Sequence, residues 1–89
     1  MRIKNGFVLR TILGENVVTG EGLEQVNFSK LITLNDTAAF LWKELEGKEF
    51  DVDAMTALLT GNYEVEEAVA RADSEKLCNQ WKEMGLIEG

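Results

Sequence analysis

Across the single residue Asn35, the apolar period of this chain changes from two to nearly four. Ile32 and Leu34 alternate with Leu31 and Thr33, as on the two faces of a strand, whereas Ala38, Leu41, Trp42 and Leu45 recur at helical spacing. An extended segment must therefore run straight into a helix with no room for a loop. Asn35 suits that junction, because its side chain can accept a hydrogen bond from an unpaired N–H of the first turn. Asp36 complements the positive end of the helix dipole, and Ala38 and Ala39 favour continuation. Taken alone, these residues require only a well-capped helix after a strand.

Upstream, Phe7, Leu9 and Thr11 alternate with Val8, Arg10 and Ile12, and Gly14, Glu15 and Asn16 break the run before Val17 and Val18. This pattern predicts a hairpin of two strands. Residues 20–25, rich in Gly and Glu, predict a loop, with a short extended piece at Val26 and Phe28 before Ser29 and Lys30 lead into the strand Leu31 to Leu34.

Downstream of the first helix, Gly47 offers a left-handed C-terminal stop and Asp51 an N-cap for a short helix carrying Met55, Leu58 and Leu59. That helix ends near Gly61 and Asn62, and Tyr63 packs in the connection. A longer third helix is predicted from about Glu64 to Met84, with Val65, Ala68, Val69, Ala72, Leu77, Trp81 and Met84 as its apolar stripe and Gly85 as its stop. Leu86 and Ile87 give an apolar tail that folds back. The resulting expectation is an α+β chain, with three antiparallel strands within 6–34 followed by helices at about 35–46, 51–60 and 64–84, all in a single domain over residues 1–89.

Composition narrows the function. The 89 residues are 45% apolar, enough for a modest core without a disulfide or metal scaffold. There is one cysteine and no histidine, which removes the commonest metal ligands and general acid–base groups, so no metal and no cofactor are expected. Cys78 falls on a predicted helix with no imidazole to activate it and reads as a small buried hydrophobe. Gly20, Glu21 and Gly22 lack the spacing of a phosphate-cradling loop. Glu64, Glu66 and Glu67 crowd the start of the third helix, where they favour its dipole and stay solvated. No segment has the apolar length of a signal peptide or membrane span, so the chain reads as soluble and cytoplasmic. A formal charge of −7 opposes nucleic-acid binding, which is built from Lys and Arg displacing counterions.

The order Leu34, Asn35, Thr37, Ala38, Ala39, followed much later by Asp73, Leu77, Cys78, Trp81 and Gly85, Leu86, Ile87, resembles the PqqD-like family, small domains also called RiPP recognition elements. The match spans most of the chain. The resemblance implies a winged-helix-like fold and a non-catalytic adaptor role, in which the domain binds the leader of a ribosomally made precursor peptide and presents it to a modifying enzyme, often a radical SAM protein. Recognition would be by β-augmentation, the leader pairing as an extra strand while alternate side chains enter a groove beside the third helix.

Carried onto this sequence, the receiving strand is Leu31, Ile32, Thr33 and Leu34, and the groove wall is Asp73, Lys76, Leu77 and Gln80. Ile32 and Leu34 are expected to face the core and Leu31 and Thr33 the opposite side. Asp73, read as a partly buried carboxylate, would need a partner, either a local backbone donor or a basic leader residue. Thr37, Ala38 and Ala39 are assigned to structure, and Trp42 and Trp81 to the core.

The chain also departs from the family pattern. A Pro-containing turn is replaced by Gly20, Glu21 and Gly22, residues Leu23 to Phe28 look like an insertion that would lengthen the hairpin or cover the binding edge, and Ser74 stands where an apolar residue is common. Two other readings stay open: a winged-helix DNA-binding or regulatory module, and a domain that only stabilises a partner complex. An exposed strand edge also leaves a symmetric homodimer open.

Overall fold

A computed structural model describes residues 1–20 and 32–88. The predicted extended piece at Val26 and Phe28, the Leu23–Phe28 insertion and Leu31 lie outside the described residues. The elements run β1 (Arg2–Ile3), β2 (Phe7–Ile12), β3 (Glu15–Gly20), β4 (Ile32–Leu34), α1 (Asp36–Leu45), α2 (Val52–Asn62), α3 (Glu67–Glu83) and β5 (Ile87–Glu88). The three-stranded antiparallel sheet has the order β2-β3-β4 and precedes three helices, so the expected winged-helix-like α+β architecture is present.

The junction behaves as its chemistry dictates. Asn35 is extended at φ −69° and ψ 172°, and its Oδ1 accepts from the Ala38 N–H at 2.8 Å. Asp51 caps α2 in the same way through the Ala54 N–H at 2.8 Å. At the other end of α1, Gly47 takes φ 77°.

The hairpin turn is shifted from its expected place. Leu13 and Gly14 form it, while Glu15 and Asn16 already belong to β3 and pair with Ile12 and Thr11. β3 also runs on through Gly20, where a loop is predicted.

A second sheet, invisible to periodicity because each strand has two residues, pairs β1 with β5 through Arg2↔Glu88 and Ile3↔Ile87. It sets Ile3 and Ile87 into the core. The Lys4 N–H donates to the Leu86 carbonyl at 2.9 Å, and the Phe50 N–H to the Met1 carbonyl at 2.8 Å, so the first strand also ties down the α1–α2 connection.

α3 differs most from its prediction. It starts at Glu67 rather than Glu64, after an N-cap, Glu66, whose side chain makes no capping bond. Its buried side is Ala70, Ser74, Cys78 and Trp81, and the predicted stripe residues Ala68, Val69, Ala72 and Met84 are exposed. Residues 70, 74, 78 and 81 share one helical face, and their mostly small side chains let α2 approach closely. Hydrophobicity alone favours the neighbouring face. The helix ends in a Schellman motif: the Leu86 N–H donates to the Trp81 carbonyl at 2.9 Å and the Gly85 N–H to the Lys82 carbonyl at 3.1 Å, with Gly85 at φ 74°.

Cys78 is buried in the core, as expected, and its thiol lies 3.3 Å from the Met1 sulfur. Ser74 is fully buried, and its hydroxyl finds no partner among the described residues. An unpaired buried hydroxyl costs folding free energy that a methyl group of nearly the same size does not. Ser74→Ala is therefore expected to stabilise the domain by about 1 kcal/mol, and Gly85→Ala, which forces a Cβ into left-handed backbone, to destabilise it by about 1–2 kcal/mol. Urea unfolding followed by tryptophan fluorescence reads both, with opposite shifts in midpoint.

Candidate functional site

β4 pairs with β3 through Asn16↔Leu34, Val17↔Thr33 and Val18↔Ile32, and among the described residues no strand covers its other edge. Every second residue of such a strand turns its N–H and C=O away from its partner, leaving them free to pair. Within β4, Leu34 is buried, Ile32 half-buried and Thr33 exposed, which is the facing predicted for these three.

That edge looks onto α3. Ile32, Thr33 and Leu34 line one depression together with Leu77, Gln80 and Met84. A second, of about 360 Å³, continues from it between α1, α2 and α3 and is lined by Thr37, Leu41, Leu59, Asp73 and Lys76. Both share Asn35, Ala38, Leu77 and Gln80, so they form one groove. Ile32 to Leu34 rise about 7 Å along a strand, and Asp73 to Gln80 rise about 10 Å along a helix. The helical wall is the longer of the two.

Of the eight residues predicted from sequence, seven line this groove, and Leu31 lies outside the described residues. One expectation about them is wrong. Asp73 is exposed rather than partly buried, because the core side of α3 passes through Ala70 and Ser74 and leaves Asp73 on the open side. Its carboxylate is solvated and requires no internal partner.

Sequence reasoning missed several groove residues. Asn35, Thr37 and Ala38, assigned to structure, also form part of the lining, and their position just after the strand is the signal that pointed there. Leu59 reaches the groove from α2 across the fold, which no local pattern reveals. Met84, seven residues beyond Leu77, falls on the same face of α3 and is 48% exposed, as is Val69 at the other end of that face. The groove thus has an apolar floor of Ala38, Leu41, Leu59 and Leu77 with Asp73, Lys76 and Gln80 at its rim.

A separate depression lies between α2 and α3, lined by Asp53, Thr56, Thr60, Val65 and Arg71 among others. There the Arg71 guanidinium bonds Asp53 and sits 3.6 Å from Glu67, and these contacts, Asp53 foremost, raise its pKa further above its ordinary value. It stays charged and is already engaged. Among the described residues there is no group of His, Cys, Asp and Glu that could hold a metal ion, and no helix long and apolar enough to cross a membrane.

A sequence model described as Coenzyme PQQ synthesis protein D (PqqD) matches residues 11–87, from the end of β2 to the start of β5. The chain belongs to the PqqD family. No curated protein matches it. Among solved structures, "TbiB1 in Complex with the TbiA(beta) Leader Peptide" superposes with a TM-score of 0.77 at 20% identity, covering 100% of this chain and 96% of that one. "Lasso peptide synthetase B1 complexed with the leader peptide" gives a TM-score of 0.73 at 25% identity over 99% and 96% of the two chains.

In this PqqD-family chain the two indoles report on different places. Trp42 and Trp81 are both buried, 5.3 Å apart between ring centroids, but only Trp81 borders the groove. A ligand seated beside β4 is expected to change tryptophan emission in the wild type and in Trp42→Phe, and to leave Trp81→Phe emission unchanged. Titration at a fixed excitation of about 295 nm, at which indole absorbs and phenylalanine does not, checks this.

Proposed function

We propose that this chain is a non-catalytic adaptor that binds the leader segment of a ribosomally synthesised precursor peptide and presents it to a modifying enzyme, within the single domain 1–89. The observation that carries the reading is the edge of β4, unpaired among the described residues, facing a helix-walled groove. Such an edge accepts an extended peptide through main-chain hydrogen bonds, and the groove supplies the side-chain choice. Family membership and the two superposable proteins, each described in complex with a leader peptide, support it.

In this reading Leu31, Ile32, Thr33 and Leu34 receive the leader strand, and Asp73, Lys76, Leu77 and Gln80 contact its alternate side chains. Leu77 gives apolar contact, Asp73 and Lys76 select charge, and Gln80 offers both donor and acceptor. The absence of histidine and the burial of the single thiol support a binding rather than a catalytic role. A reducing cytoplasm suits that thiol. The enzyme partner installs the modification, and a radical SAM protein is the class the resemblance suggests.

A DNA-binding role is not supported. Along α3, Arg71, Lys76 and Lys82 are outnumbered by Glu67, Asp73, Glu75 and Glu83, and Arg71 is held by two of the surrounding acids. Pairing of two β4 edges in a homodimer would occupy the same hydrogen-bonding groups as the leader. Dimerisation and leader binding are then competitive.

The test is a titration with peptides encoded beside the gene. Amide resonances of residues 32–34 and 73–80 are expected to shift, and N-methylation of alternate leader residues to weaken binding about tenfold or more, since each blocked bond removes roughly 1–2 kcal/mol. N-methylation of the intervening residues should leave affinity nearly unchanged. Uniform tolerance of N-methylation, or shifts confined to the α2–α3 side, would overturn β-augmentation at this edge.

A further inference from the structure

The register of the sheet decides which main-chain groups of β4 are open. Leu13 and Gly14, both at positive φ (52° and 80°), connect Ile12 to Glu15 as a two-residue hairpin turn. Such a turn is closed by a hydrogen-bonded pair, and along an antiparallel ladder bonded and non-bonded pairs alternate. Ile12↔Glu15, Arg10↔Val17 and Val8↔Thr19 are therefore the bonded pairs of β2 and β3. Asn16 and Val18 face the other way, toward β4, and bond Leu34 and Ile32. Thr33, opposite Val17, is left with both its N–H and its C=O on the free edge.

The edge ends one step further on. The Asn35 N–H follows Thr33 in the same alternation, but the Asn35 carbonyl accepts from the Ala39 N–H at 2.9 Å and its Oδ1 from the Ala38 N–H at 2.8 Å. The first turn of α1 takes both acceptors of Asn35 and leaves its donors. Among the described residues, the open main-chain groups of this edge are then the Thr33 N–H, the Thr33 C=O and the Asn35 N–H.

Residues opposite one another on neighbouring strands share a face of the sheet. A guest residue opposite Thr33 therefore turns its side chain to the exposed face, whichever way the guest runs. The residues before and after it share the face of Ile32 and Leu34. That face opens on the depression walled by Leu77, Gln80 and Met84, whose lining contains no charged residue. Asp73 and Lys76 line only the second depression.

We propose that the leader is held by a three-group main-chain clamp, the Thr33 N–H and C=O with the Asn35 N–H, and read through two uncharged side chains that flank the residue opposite Thr33. The clamp rests on the adaptor reading above and says which part of the leader that reading selects. The central residue is gripped by its backbone and its side chain is free to vary. Its two neighbours, two positions apart, enter the groove, where a charge would lose its hydration without finding a partner.

The experiment uses the full chain, with peptides from the precursor encoded beside its gene as the probe. Amide hydrogen exchange, followed residue by residue by NMR, is expected to be at least about tenfold faster at Thr33 than at Ile32 and Leu34 in the free chain, and to slow by about tenfold or more at Thr33 once peptide is bound. Proline lacks the N–H and is tolerated on an edge strand where that N–H faces outward. Thr33→Pro is therefore expected to melt within about 5 °C of wild type and to bind the peptide about tenfold or more weakly. In the peptide, the residue in nuclear Overhauser contact with Thr33 should accept Lys within about threefold, and each of its neighbours should reject Lys by about tenfold or more.

The exchange measurement uses the wild type and so stands whether or not the proline variant folds. Protection of Thr33 in the free chain, or peptide binding that leaves Thr33 unprotected, would overturn the clamp and leave the adaptor reading in place. A central leader residue that rejects Lys while its neighbours accept it would do the same. A wild type that binds none of the peptides overturns the adaptor reading, and the clamp with it.

Discussion

The edge-to-face contact between Trp42 and Trp81 is the constraint on which the rest of the arrangement depends. The rings lie 5.3 Å apart at 78°, one on α1 and one on α3, and both are almost wholly buried. Burying an indole of this size contributes roughly 4–6 kcal/mol by area, an upper bound, with about 0.5–1.5 kcal/mol more from the aromatic pair. α1 begins one residue after β4, so whatever fixes α1 against α3 also fixes the β4 edge beside α3. The width of the groove is set by two side chains, only one of which touches it.

Small residues do the complementary work. Ala38 lies at the floor shared by both halves of the groove, and any larger side chain there would fill the space between β4 and Leu77. Ala70 and Ser74 do similar work on the buried side of α3, where small side chains let α2 pack closely. The cost of that choice shows in the unpaired Ser74 hydroxyl. An apolar residue of similar volume would satisfy the packing equally well, and the close approach of the helices rather than polarity explains a small side chain at this place.

The parts of the fold legible in the sequence were those governed by contacts within one turn of backbone. Asn35 and Asp51 cap their helices because a short acceptor meets an N–H three residues on, and Gly47 and Gly85 end helices because only glycine takes left-handed backbone cheaply. Of the buried side of α3, Cys78 and Trp81 were legible but Ala70 and Ser74 were not, since Ala68, Val69 and Ala72 form the more apolar line there and tertiary packing selected a different one. The β1–β5 pair was hidden because two residues make no period, and the turn at Leu13 because leucine gives no sign of a left-handed conformation. Asp73, Lys76, Leu77 and Gln80 came from a resemblance, and the fold sets them opposite β4. Leu59 could be found only once α2 had been placed.

The junction at Asn35 joins these levels. Its cap on Ala38 starts the helix whose Trp42 locks against α3, and Asn35, Thr37 and Ala38 themselves line the groove that this locking creates. A residue that only positioned the strand could be replaced by any other good N-cap with little effect beyond stability. Asn35, being exposed within the groove as well, presents an amide N–H₂ toward solvent while its Oδ1 is occupied by the cap, so it can donate to a guest at no expense to the helix. Asp would keep the cap and lose the donor. The cap and the free amide are therefore separable at this one side chain, although in the sequence they coincide.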